Sequence, residues 1–155
     1  MSNKAILKMV ELRISDFDQI GILVKDIEKA AEFYAALLDF KGNINIVEQT
    51  SNVIYKGKGV EFKMKKIMHT FGGKQFEIIE LLESTGDHLY SEFLEEGKIG
   101  LHHLGVYTKD AETLIKHFKN TSNIDIIQSG KVGRVKFYYL DTKEVFGYYL
   151  ELIAL

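Results

Sequence analysis

Four polar residues occupy equivalent points of an internal repeat. Gln19 and His103 each open a strand-like run, and Glu80 and Glu151 each sit inside an apolar one. Taken singly, each has an ordinary reading as an exposed or core side chain. Taken together, one imidazole, two carboxylates and one amide oxygen form a nitrogen–oxygen donor set. Such a set suits Zn²⁺, Ni²⁺, Co²⁺, Mn²⁺ or Fe²⁺ and disfavours soft Cu(I). A carboxylate between Ile79 and Leu81, or between Leu150 and Leu152, costs free energy unless it is paired or binds a metal. With four protein ligands, an octahedral ion keeps two positions for two oxygens of one substrate, or for two waters.

The repeat positions these groups. Gln19–Tyr34 lies over His103–Phe118 at a constant offset of 84, matching Gly21 with Gly105, Lys25 with Lys109, Asp26 with Asp110 and Glu28 with Glu112. Ile27, Ala30, Ala31 and Tyr34 match Ala111, Leu114, Ile115 and Phe118, the spacing of one helix face. Asp26 and Asp110 stand where helix N-caps belong. The halves also end alike, and aligning E-L-L of residues 75–83 with E-L-I of residues 147–155 pairs Glu80 with Glu151. Alternation puts Gln19 on the face with Gly21 and Leu23, opposite Ile20, Ile22 and Val24, which belong under the helix.

Each half therefore reads β-α-β-β-β. The expected middle strands are Ile44–Gln49 and Val60–His69 in the first half, and Ile124–Gln128 and Arg134–Leu140 in the second. Residues 87–97 read as a helix closed by Gly97. The expectation is an α+β fold of two tandem βαβββ modules whose curved mixed sheet surrounds a metal site. It forms one domain over residues 1–155, with modules at 17–83 and 100–155 and a linker helix within 84–99.

Bulk properties narrow the classes. The chain has 155 residues, net charge −2, no cysteine and no proline. That removes disulfides, thiolate ligands and a thiol nucleophile, and gives no general electrostatic reason to bind nucleic acid. No apolar run approaches membrane-spanning length. The first residues lack the features of a secretory signal, so a cytoplasmic location is expected. The glycines match no phosphate-binding loop, and no serine sits in a nucleophile elbow.

From about Phe17 to Leu155 the chain resembles the vicinal oxygen chelate superfamily, which includes glyoxalase I, methylmalonyl-CoA epimerase, extradiol dioxygenases and bleomycin-resistance proteins. D-Q-I-G-I-L-V-K-D (Asp18–Asp26), I-E-L-L-E (Ile79–Glu83), G-L-H-H-L-G-V (Gly100–Val106), F-Y-Y-L-D-T (Phe137–Thr142) and Y-L-E-L-I (Tyr149–Ile153) carry the resemblance. It implies metal ligands at Gln19, Glu80, His103 and Glu151, with His103 rather than His102 as the ligand of G-L-H-H. It implies one divalent ion (Zn, Co, Ni or Mn) and Glu151 as ligand and base. A Gln, Glu, His, Glu set is that of eukaryotic-type glyoxalase I, whereas the linker leading to G-L-H-H is more like the epimerase. Epimerases usually carry His where Gln19 stands and Pro where Ser84 stands.

The leading expectation is an epimerase-like isomerase that removes a proton α to the thioester carbonyl of a branched acyl-CoA. The alternatives are a glyoxalase I-like lyase acting on a glutathione adduct, and a non-catalytic binding protein of the bleomycin-resistance type. The resemblance implies a homodimer. Glu61 is a candidate second acid/base by loose analogy. Lys63, Lys65 and Lys66 could meet phosphates of a CoA-like substrate, or simply keep a strand soluble.

Overall fold

The computed structural model describes residues 12–155. The first half contains β1 (Gln19–Leu23), α1 (Ile27–Leu37), β2 (Val47–Tyr55), β3 (Lys58–Phe71) and β4 (Lys74–Ser84). After the linker helix α2 (Leu89–Glu95), the second half contains β5 (Gly100–Thr108), α3 (Ala111–Ser122), β6 (Ile126–Val132), β7 (Val135–Leu140), a short α4 (Lys143–Phe146) and β8 (Tyr149–Ala154). The chain is thus α+β, built from two βαβββ modules. β2 starts later than the sequence pattern predicts, with Ile44 and Ile46 packed against the Ile27, Phe40, Ile67 and Ile78 cluster before the ladder begins, and β3 runs longer.

The sheet is more than curved. Its strand order, β1-β4-β3-β2-β6-β7-β8-β5, closes into a barrel. The modules meet first where β1 pairs antiparallel with β5. They meet again where Val53, Ile54 and Tyr55 of β2 pair with Gly130, Ser129 and Gln128 of β6. Gly130 lets the ring of Phe137 lie across that seam, since a Cβ there would stand 2.4 Å from the ring.

Alternation divides the strand residues between the interior and two outer layers. Leu23, Val53, Tyr55, Phe62, Met64, Ile79 and Tyr139 form the inner cluster, and Leu89, Tyr90 and Phe93 of α2 pack into it. Outside, Ile27 of α1 covers Ile67 and Ile78, while Leu114 of α3 covers Val106, Leu140, Leu150 and Leu152. Burying each such side chain contributes about 1.5–3 kcal/mol.

The two helix starts differ. The Asp26 carboxylate accepts from the backbone N–H of Lys29 at 3.0 Å, as an N-cap should. Asp110 makes no side-chain capping bond; its own N–H instead donates to Thr108 Oγ1 at 2.9 Å. Among the described residues no helix is long and apolar enough to cross a membrane.

Candidate metal centre

β1 and β5 run antiparallel with Gln19 opposite Gly105 and Gly21 opposite His103. Each half thus supplies a polar side chain and, two residues later, a glycine facing the other half's side chain. The His103 ring fills the space over Gly21, where a Cβ would stand 2.0 Å from it. Gln19 lies over Gly105 with a looser 3.1 Å approach. The parallel partners are equivalent too: Gly21 is in register with Glu77 on β4, and Gly105 with Glu151 on β8.

Three oxygens converge on one nitrogen. His103 Nε2 lies 3.3 Å from Gln19 Oε1, 3.4 Å from Glu77 Oε1 and 3.3 Å from Glu151 Oε2. All four residues are buried, with exposures of 2% for Gln19, 8% for Glu77, 0% for His103 and 6% for Glu151. A ring nitrogen carries at most one proton, so it cannot satisfy three acceptors. The separations are also long for N–H···O bonds. Glu151 Oε2 has no hydrogen-bond partner among the described residues. Burial raises the Glu151 carboxyl to about 7, against the lowering effect of His103. Burial alone would lower the His103 pKa, but Glu151 and Glu77 together raise it. The cage therefore calls for positive charge.

The donor types, one imidazole, two carboxylates and one amide oxygen, fit a divalent ion. The ligand atoms of Glu77, His103 and Glu151 do not all lie within 4.8 Å of one another, so the carboxylates would have to draw in around it.

Surrounding groups orient the donors. Gln19 Nε2 donates to Gln75 Oε1 at 2.9 Å, and Tyr107 Oη donates to the same oxygen. This turns the Gln19 oxygen, not its nitrogen, toward His103. His102 Nδ1 lies 3.0 Å from His103 Nδ1. Burial, reinforced by His103, holds the His102 pKa well below its usual value, so His102 is neutral. With His102 accepting at Nδ1 from His103 Nδ1–H, the His103 Nε2 lone pair would face the cage, the tautomer a metal ligand requires. Tyr90 and Tyr139, bonded to each other at 2.9 Å, close the apolar side.

Of the four residues read from the sequence, Gln19, His103 and Glu151 come together and Glu80 does not. Glu80 lies on the outer face of β4, where its Oε1 accepts from the backbone N–H of Ile27 at 3.2 Å. With Asp26 and Glu28 it forms an acidic group at the start of α1, in which Asp26 caps the helix and Glu28 pairs with Lys65 at 2.5 Å. Glu77 takes the inner place. Residues three apart on a strand face opposite sides, so aligning on E-L-L selects the outward-facing glutamate. Aligning F-E-I-I (Phe76–Ile79) with L-E-L-I (Leu150–Ile153) would have selected Glu77.

Glu61 is on the outer face, paired in register with Asn52, and away from the cage. Lys63 and Lys65 also face out, toward Glu48 at 3.1 Å and Glu28 at 2.5 Å. Lys66 faces in. Above the cage a cavity of about 60 Å³ is lined by Gln49, Ser51, Lys66, Tyr139 and the two inner glutamates, among others.

The family model for the Glyoxalase/Bleomycin resistance protein/Dioxygenase superfamily matches residues 18–139, and the chain belongs to that superfamily. No curated protein sequence gives a match. Solved structures share the fold. A hypothetical protein from Bacillus halodurans C-125 superposes with a TM-score of 0.65 at 20% identity, over 90% of this chain and 94% of that one. A methylmalonyl-CoA epimerase from Mycobacterium tuberculosis gives 0.62 at 16% identity, over 93% and 94%. A Streptomyces coelicolor methylmalonyl-CoA epimerase variant in complex with 2-nitronate-propionyl-CoA gives 0.56 at 23% identity, over 92% and 95%.

Proposed function

We propose that this chain is a metal-dependent enzyme that removes a proton α to a thioester carbonyl, in the manner of an acyl-CoA epimerase. Gln19, Glu77, His103 and Glu151 would hold one divalent ion. The observation that carries the reading is the convergence of three buried oxygens on His103 Nε2. When bound, such an ion polarises a substrate carbonyl and favours charge on its oxygen.

The remaining work falls to the chain. Glu151 is the base: its Oε2 is buried, faces the cage and has no hydrogen-bond partner among the described residues. Gln75 and Tyr107 fix Gln19, and His102 fixes the His103 tautomer. Phe62, Met64, Phe137 and Tyr139 keep water from the reacting carbon. The cavity admits only the acyl end of a large substrate, so a CoA or other thiol carrier would lie outside it. The superfamily resemblance further supports a homodimer.

Mixing metal-loaded protein with methylmalonyl-CoA in heavy water tests this. Deuterium should enter at the α-carbon, and Glu151→Gln should abolish the exchange. No exchange with Co²⁺, Zn²⁺ or Mn²⁺ would overturn the epimerase reading. The donor identities favour one second reading, a glyoxalase I-like lyase. It predicts formation of an ultraviolet-absorbing thioester from methylglyoxal and glutathione. A protein that takes up no stoichiometric metal by elemental analysis would instead be a binding member of the superfamily.

A further inference from the structure

We infer that Lys66 is the resident counter-charge of the cage: it balances the inner glutamates when no ion is bound, and it opposes a divalent ion when one enters. The second half of the inference rests on the metal-centre reading above; the first half does not.

β3 carries lysines at positions 63, 65 and 66. Alternation sends the first two outward, where Glu48 and Glu28 pair with them at 3.1 and 2.5 Å. Lys66 points inward and lines the same cavity as Glu77 and Glu151. Its place follows from strand register. Lys66 pairs with Ile79, and Met68 pairs with Glu77. Glu77 is therefore the diagonal neighbour of Lys66 on the inner face, within reach of a long side chain. The ammonium donates to Gln49 Oε1 at 2.7 Å, and Gln49 Nε2 donates in turn to Ser51 Oγ at 3.0 Å. A neutral anchor on β2 thus holds the charge beside the carboxylates and leaves their oxygens to His103.

Charge accounting gives the role. Two carboxylates in one buried cage repel each other and have lost their hydration. Lys66 offsets one of the two charges, so the empty cage keeps its shape. The same field acts with opposite sign on a cation. A divalent ion among the ligands meets the ammonium across a poorly polarisable interior, where a charge several ångströms away still counts. Lys66 therefore keeps the affinity down and makes the ion exchangeable. Lys63 and Lys65 cannot act this way, because their own glutamates and the surrounding water screen them.

Co²⁺ titration followed by absorption spectroscopy tests the opposition. Lys66→Gln should bind Co²⁺ about tenfold more tightly than wild type, and Lys66→Arg should match wild type. Lys65→Gln removes the same charge from the outer face and should change the affinity by less than about twofold. Unchanged or weaker binding in Lys66→Gln, or equal tightening in Lys65→Gln, would overturn the proposal. A double-mutant cycle on the metal-free protein reads the balance. Lys66→Gln should lower the melting temperature, and the loss should be roughly halved or less in a Glu77→Gln background. No loss, or a loss of equal size in both backgrounds, overturns the proposal whatever Co²⁺ does. If wild type and Lys66→Gln both take up no Co²⁺, the metal-centre reading fails, and the cycle alone decides whether Lys66 is the counter-charge.

Discussion

The two halves of the barrel hold equivalent candidate ligands in unlike surroundings. In the second half, His103 and Glu151 sit against His102, Tyr90 and Tyr139, which are packed rings with few alternatives. In the first half, Gln19 is turned by hydrogen bonds to Gln75, and Asp18 accepts from the backbone N–H of Tyr107 at 2.8 Å. The middle strands differ as well. β3 spans 14 residues and brings polar Lys66 inward, whereas β7 spans 6 and brings the apolar Phe137. The duplication therefore keeps the donor positions and divides the labour. One half holds its ligands by packing and supplies an apolar wall; the other aims its ligand by hydrogen bonds and supplies the charge.

The facing glycines give the sharpest way to break this arrangement. Gly21→Ala should destabilise the protein by about 3 kcal/mol and abolish Co²⁺ binding, because the His103 ring has nowhere to go. Gly105→Ala meets Gln19 at 3.1 Å and should cost only about 1 kcal/mol. Equal melting temperatures for the two variants would dissolve the packed-versus-aimed contrast.

His88, in the linker between the halves, should contribute to acid sensitivity alongside the more deeply buried His102. It is fully buried and stacked on Phe62, and burial holds its pKa at about 4. The unfolded chain takes up this proton near 6.5 and the folded one only near 4. Stability should therefore fall as pH drops from 6.5 toward 4, by up to about 3 kcal/mol. His88→Asn keeps a helix-capping acceptor and should flatten that fall in urea titrations at several pH values; an unchanged slope would place the acid sensitivity elsewhere.

The two glutamates of β4 separate ligand from cap. Glu77→Gln should weaken Co²⁺ binding by more than the ~100-fold that bounds changes behind a ligand. Glu80→Ala should leave Co²⁺ binding intact and cost about 1 kcal/mol of stability through the lost bond to Ile27. The reverse pattern would restore Glu80 to the site. Gln75→Leu is expected to weaken Co²⁺ binding about tenfold by freeing the Gln19 amide to rotate. Tyr90→Phe should change it less, since the second half holds its ligands by packing.

Much of this was legible in the residues themselves. The repeat, the strand–helix openings, and the positions of Gln19, His103 and Glu151 follow from local spacing, because side-chain period and capping chemistry act within a few residues. The match of Gly21 with Gly105 was visible too, though not that each glycine faces the other half's ligand.

What the sequence left open is set by pairing between distant strands. Alternation says that Glu77 and Glu80 face opposite ways, and that Lys66 opposes Lys63 and Lys65, but not which way is inward. The parallel register of β1 with β4 decided the first, and the hydrogen-bonded stack of β3 between β2 and β4 decided the second. The seam of β2 with β6 turned an expected curved sheet into a closed barrel. Strand register is a property of two segments at once, fixed by the hydrogen bonds and packed side chains that form only when distant parts of the chain meet.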